Sequence, residues 1–299
     1  MLGSAALHIL TNDNQALNVG ADFHNIHNKK GVVMNYKIVT MALVLSSILF
    51  ACGSGSDDNS SNENTAVNSK VNREFSSSFE SVDDFSNFYI TPQAHLNTSF
   101  HEQSDAVVYS GNYSHKAWIQ GANSPSSLSV NNNHRGYPTV QLYKTEKGSF
   151  ESPLTISLWV WLDINLQANA SDEESDWFSF ATFTDDESDS WNRTILVNLS
   201  HDGFVHLQHT SGQGENDIIF QTTTLLFPQQ EWVELTIYLD LNTDGYAKVW
   251  QNGLLVSHAN IDNFKNKLAQ AHFGMYSPPQ LTSGVVYNDD LHIEMVNGE

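Results

Sequence analysis

The sequence has a single cysteine, Cys52, in 299 residues, so no intramolecular disulfide can form, and no Cys/His spacing of the zinc-site type occurs. The fold must therefore be held by packing or by an ion with oxygen ligands. Basic residues are scarce: 13 Lys and Arg stand against 34 Asp and Glu, for a formal net charge of -21. Such a field repels polyphosphates and anionic headgroups, which excludes nucleic acid as a partner and weighs against polyanionic glycans unless a local cluster of Lys, Arg and His lines a groove. Long apolar runs are missing as well. Ile38–Phe50 spans 13 residues, short of the roughly 20 that a membrane helix needs. No internal repeat is visible. Aromatic residues, by contrast, make up 11% of the chain, enough for a sizeable core.

The region from Met34 has three parts. Asn35, Tyr36 and Lys37 make a short positive start, Ile38–Phe50 an apolar stretch, and Ala51-Cys52-Gly53-Ser54 a small-residue cleavage zone. The Leu49-Phe50-Ala51-Cys52 run resembles the lipobox of bacterial lipoproteins. That resemblance implies export, acylation of Cys52 as the first mature residue, and contact with the membrane through lipid alone. Gly53 in place of Asp points to the outer membrane or cell surface. The expected organisation is an upstream extension over 1–33, a lipoprotein signal peptide over 34–52, a Ser/Asn/Asp tether over 53–72 with almost nothing apolar to bury, and one domain over 73–299.

That domain is written in period two. In Thr155–Asp163, Ile156, Leu158, Val160 and Leu162 share one face, while Ser157, Trp159, Trp161 and Asp163 share the other. Trp232–Asp240 alternates in the same way. Further strands are predicted at Tyr113–Ile119, Thr139–Lys144, Trp177–Phe183, Thr194–Leu199, Phe204–Thr210, Tyr246–Gln251, Ala271–Tyr276 and Val286–Met295. His201-Asp202-Gly203, Asn242-Thr243-Asp244-Gly245 and Asn252-Gly253 read as hairpin turns, the last two with Gly at positive φ, and Asn263–Gln270 reads as a helical turn. Many short strands in one domain predict an all-β, two-sheet antiparallel sandwich of jelly-roll type.

Trp232-Val233-Glu234-Leu235, the hairpin Asp244 to Gly253 (DGYAKVWQNG) and Tyr287-Asn288-Asp289-Asp290-Leu291 together resemble the latter half of concanavalin-A-like jelly rolls, and Ser110 to Ser114 resembles their early strand. The superfamily includes laminin-G-like modules, lectins, glycoside hydrolases and polysaccharide lyases, so the resemblance implies the fold and leaves the activity open. The E-x-D-x-x-E strand of its retaining glucanases is absent.

The lyases of this fold need a cation or amide on a uronate carboxylate, and a Tyr or His to move the C5 proton. His206 and Gln208 resemble the lyases' Q-x-H pair in reversed order. His272, Gly274 and Tyr276 resemble their K-A-G-x-Y strand, with His272 in the lysine's place. Thr139, Gln141 and Tyr143 stand where those enzymes carry R-x-E-x-R, and Arg135, four residues upstream, is the replacement cation. The candidate catalytic set is therefore His206, Tyr276, Arg135, Gln141, Gln208 and His272. By parity, His206, Gln208, His272 and Tyr276 are expected to face one groove. Trp159, Trp161 and Tyr143 are candidate sugar-stacking residues.

The acidic loops Asp172–Asp176 and Asp185–Asp189 offer oxygen ligands for a structural Ca2+ ion but lack fixed EF-hand spacing, and Asp289 and Asp290 read as structural hydrogen-bond acceptors. No cofactor is implied. The expected partner is a polysaccharide or other glycan. Three readings stay open: a lyase acting by β-elimination on a uronic-acid glycan, a non-catalytic laminin-G-like or lectin-like module binding a glycan or protein, and a structural envelope protein.

Overall fold

The computed structural model describes residues 73–87, 98–123, 132–166, 177–188, 190–210, 218–220, 223–262 and 264–296. Cys52, the segments expected to be a signal peptide and a tether, and the Asp172–Asp176 loop lie outside them. The described residues form no α-helix and seventeen strands. In chain order these are β1 (Glu74–Ser77), β2 (Ser99–Ser104), β3 (Ser114–Gln120), β4 (His134–Gly136), β5 (Thr139–Gln141) and β6 (Phe150–Glu151). There follow β7 (Leu154–Asp163), β8 (Trp177–Thr184), β9 (Thr194–Ser200), β10 (Val205–Thr210), β11 (Ile218–Phe220) and β12 (Trp232–Asp240). The last five are β13 (Asp244–Gln251), β14 (Leu254–Asp262), β15 (Lys267–Leu268), β16 (Gln270–Ser277) and β17 (Ser283–Met295).

They make the expected antiparallel sandwich. The larger sheet runs β14-β13-β12-β7-β17-β3-β2, with β1 also on β17. The smaller runs β11-β10-β9-β8-β16-β4, with β5 also on β16. Alternation explains the layering: Leu154, Ile156, Leu158, Val160 and Leu162 of β7 and Val233, Leu235, Ile237 and Leu239 of β12 turn inward and are fully buried. They meet Phe178, Phe183, Val197, Leu207, Ala271 and Phe273 of the other sheet in one continuous core. His209, the polar exception on the inward face of β10, is buried with its ring 5.5 Å from that of Phe264.

Several local expectations need correction. Asn263–Gln270 holds no helical turn; Lys267 and Leu268 pair with Glu151 and Phe150, and Gln270 opens β16. Burial of Leu268 against the core decides in favour of the extended form. The strand from Thr139 ends at Gln141, and Leu142–Lys144 is a 3-10 turn. Asn252 and Gly253 both take positive φ, 49° and 78°, as a two-residue hairpin turn requires. Gly245 does not. It lies inside β13, where a Cβ would stand 2.1 Å from the Asp240 carbonyl oxygen, so that position needs glycine for close backbone approach. Strands β1, β2 and β14 were not evident from alternation, since β2 is polar (SFHEQS) and β14 begins with two exposed leucines, Leu254 and Leu255.

Candidate functional site

The face of the smaller sheet turned away from the core is lined with polar side chains in cross-strand rows. Arg135 of β4 stands opposite Tyr276 of β16. The same row continues through Ser179 of β8 and Asn198 of β9 to His206 of β10. A second row runs Thr139, His272, Thr182, Leu196 and Gln208. His206, Gln208, His272 and Tyr276 thus share one face of one sheet, though not the single groove that parity led one to expect.

Sharing a face does not bring them together. β10 is three strands from β16, about 14 Å at a strand spacing near 4.8 Å. His206 and Gln208 form their own group, in which the Asn198 amide donates to Gln208 Oε1 at 2.6 Å. Burial lowers the His206 pKa, and its Nδ1 lies 3.4 Å from the Phe204 carbonyl oxygen. Gln141 is also displaced. It pairs with Gln270 at the far end of β16, six residues from Tyr276 or roughly 20 Å along an extended strand. There its amide donates to Gln270 Oε1 at 3.0 Å, while Gln270 donates to the Asp186 and Ser188 carbonyls at 2.7 and 2.8 Å. Gln141 thus braces a loop and cannot share a carboxylate with Arg135. Tyr143 lies in the 3-10 turn beyond β5, half-buried, with Lys144 Nζ 5.3 Å from its ring centroid.

The residues that do converge are Asn133, Arg135, Tyr137, His272 and Tyr276. Asn133 Nδ2 donates to the Tyr276 phenol oxygen at 3.1 Å. Tyr137 lies parallel to His272, centroids 3.9 Å apart and planes 8° apart, and Trp191 tilts against the imidazole at 5.1 Å. Trp177 meets Tyr276 edge-on at 5.2 Å. Gly274, between His272 and Tyr276, has φ 130°, and a Cβ there would lie 2.8 Å from the Gly136 carbonyl oxygen and 3.2 Å from Tyr137 Cβ. The missing side chain lets the Tyr137 backbone sit against β16.

Electrostatics separates the roles. Burial first, and the Arg135 charge second, push the His272 imidazole down to about 3, so it is neutral at ordinary pH. It does not supply the positive charge of the lysine whose place it takes. Burial raises the Tyr137 phenol well above its ordinary value, partly opposed by Arg135 and reinforced by Tyr276. Arg135 and Tyr276, both half-buried, stand directly opposite each other in this cluster. Asn133 and Tyr137 had a readable signal: they stand two residues either side of Arg135, on the same parity of one extended segment.

Trp159 and Trp161 belong elsewhere, to the outer face of the larger sheet, as partners of Asp289 and Tyr287. Asp289 accepts the amides of Tyr109, Ser110 and Asp290 at 3.0, 3.2 and 2.9 Å, the structural use expected of it. The described part of the second acidic loop is spent similarly. Asp185 accepts the Lys265 amide at 2.8 Å, Asp186 accepts from Ser188, and Glu187 binds Lys267 and Ser149. Among the described residues no group of three or more His, Cys, Asp or Glu is placed to hold a metal ion.

No protein-family model and no curated protein matches the sequence. Solved structures do match the fold. An endo-β-1,4-glucuronan lyase from the fungus Trichoderma reesei aligns with TM-score 0.51 at 10% identity, covering 70% of this chain and 91% of that one. The cellulose induced protein Cip1 aligns with TM-score 0.52 at 14% identity, covering 73% and 96% respectively. At such identities the likeness is one of fold: the chain has a jelly-roll β-sandwich of the kind found in a polysaccharide lyase.

Proposed function

We propose that the protein is a lipid-anchored surface protein that binds a uronic-acid polysaccharide across the outer face of the smaller sheet and cleaves it by β-elimination. The observation that carries this reading is the direct cross-strand opposition of Arg135 and Tyr276, with the Asn133 amide on the phenol oxygen. Opposed residues on a sheet hold their Cβ atoms about 5 Å apart, a spacing at which one uronate ring reaches both. In the proposed step Tyr276 gives its phenol proton to solvent, its oxygen takes the C5 proton, and the C5–H electron pair becomes the C4=C5 double bond. The C4–O4 bond breaks with its electrons, and the same phenol returns the proton to O4. Arg135 stabilises the negative charge that builds on the carboxylate during proton removal. The donated Asn133 N–H directs a lone pair of the phenol oxygen, leaving the proton-transferring side toward the ring. Acylation of Cys52 and the polar tether would hold the domain clear of the bacterial envelope surface.

The test is ultraviolet absorbance of the unsaturated product during incubation with glucuronan, alginate and other polyuronates. Tyr276→Phe should lose turnover by about 10²-fold or more while affinity stays within a few-fold. Undiminished turnover in that variant sinks the assignment.

A second reading, a lectin-like module without turnover, draws on β8. The strand beside β16 presents only the small hydroxyls Ser179 and Thr182 in the two rows, and His206 and His272 are buried imidazoles with lowered pKa. Polyuronate binding with no absorbance change from any substrate selects that reading.

A further inference from the structure

The outer face of the larger sheet carries an aromatic band that the Arg135–Tyr276 site does not use. Trp161 of β7 has Tyr287 as its partner on one side and Trp232 on the other. Trp159, one pleat along, is not open: Tyr109 lies on it with centroids 3.8 Å apart and planes 15° apart, and meets Trp232 edge-on at 5.8 Å. Tyr109 is itself 42% exposed, so the open aromatic platform is its outward ring face rather than Trp159.

The placement of Tyr109 is built into the fold. Asp289, wholly buried beside Trp159, accepts the Tyr109 and Ser110 amides, and the Ser110 hydroxyl donates to Asp290 at 3.1 Å. Three residues on, Glu80 accepts the Asn112 and Tyr113 amides at 2.9 and 3.2 Å, bonds that hold its carboxyl below the usual range. Carboxylates thus tie down both ends of the segment that delivers the ring, so little ordering remains to be done on binding.

A flat, pre-placed aromatic face suits the apolar face of a pyranose ring, and polar groups beside it suit the ring hydroxyls. Glu234 is the cross-strand partner of Trp159, and Asp163 accepts from the Gln230 amide at 3.1 Å on the same face. Charge then selects the class of sugar. Carboxylates predominate among the ionisable groups on this face: Lys116 is paired with Glu102 at 3.1 Å, and His292, opposite Ser157, lies 3.6 Å from Glu294. An anionic chain is repelled there, and a neutral one is not.

We propose that Tyr109, with Trp232 and Trp161 beside it, forms a second glycan-binding surface for a neutral, extended polysaccharide, on the sheet opposite the Arg135–Tyr276 site and independent of it. The test is affinity electrophoresis of the full chain in gels containing hydroxyethylcellulose. The parent protein is retarded. Tyr109→Leu, which still covers Trp159 but offers no flat π face, loses retardation by about tenfold in apparent affinity. Tyr109→Phe keeps it, and Arg135→Ala keeps it too, while polyuronate binding by Tyr109→Leu stays at the parent level. The proposal is overturned if hydroxyethylcellulose does not retard the parent, or if Tyr109→Leu is retarded equally. It is also overturned if sedimentation shows a dimer that Tyr109→Leu abolishes, since the face would then belong to a second copy of the chain.

Discussion

Acidification is expected to weaken this fold above the usual carboxylate range, because several imidazoles are kept neutral inside it. His115, inward-facing on β3, is wholly buried, with Asn288 Nδ2 3.1 Å from its Nδ1. Its pKa lies well below 6.5 through burial and then through His101, while burial and Arg135 put His272 at about 3. Both folded values are depressed, so the unfolded chain takes up protons that the native state refuses, and stability is lost as pH falls below about 6.5. At about pH 5 each such histidine costs about 2 kcal/mol relative to pH 7.5, so the two cost about 4 kcal/mol. Asp289 acts in the opposite sense. Burial raises it to about 6, so lowering the pH to about 5 protonates it in the native state first and returns about 1 kcal/mol. The net loss of about 3 kcal/mol is a large part of a typical domain's 5–15 kcal/mol. His101, His134 and His206, all lowered chiefly by burial, add to the loss. Urea unfolding followed by tryptophan fluorescence at the two pH values measures it, and His272→Gln should remove close to 2 kcal/mol of the difference. Equal stability at the two pH values, or greater stability at the lower one, would refute the reasoning.

Gly274→Ala places a Cβ 2.8 Å from the Gly136 carbonyl oxygen at φ 130°, and should cost at least about 2 kcal/mol in chemical denaturation; parent-like stability contradicts the packing described for Tyr137. Leu158→Ala removes a side chain 1% exposed at the centre of the sandwich and should cost about 2–5 kcal/mol by the same measurement. For the proposed lipid anchor, Cys52→Ser should leave an uncleaved precursor that does not incorporate labelled fatty acid; processing like the parent's contradicts it.

Alternation told which residues of one strand share a face, and that part of the site was legible. His206 with Gln208, and His272 with Tyr276, do lie on the side away from the core, since Val205 and Leu207, and Ala271 and Phe273, carry the inward pattern. Alternation contains nothing about strand order, however. β8 and β9 lie between β16 and β10, an order set by contacts far apart in sequence, and two correct faces therefore yielded a wrong neighbourhood. The Arg135–Tyr276 opposition spans 141 positions of chain and the Tyr109–Trp159 stack spans 50. No window of the sequence shows either. The loss of positive charge at His272 was likewise hidden, because it depends on Tyr137 and Trp191 enclosing the imidazole.

Calorimetry of oligosaccharide binding to Arg135→Ala decides whether Arg135 receives a uronate carboxylate beside Tyr276. The ligands are a glucuronate oligosaccharide and its carboxyl-reduced, neutral counterpart, titrated into parent and variant. A charged hydrogen bond of about 1.5–3 kcal/mol predicts that the parent prefers the uronate by roughly 10- to 100-fold and that Arg135→Ala erases the preference while leaving affinity for the neutral oligosaccharide unchanged. A parent without preference, or a preference that survives in Arg135→Ala, refutes the role given to Arg135.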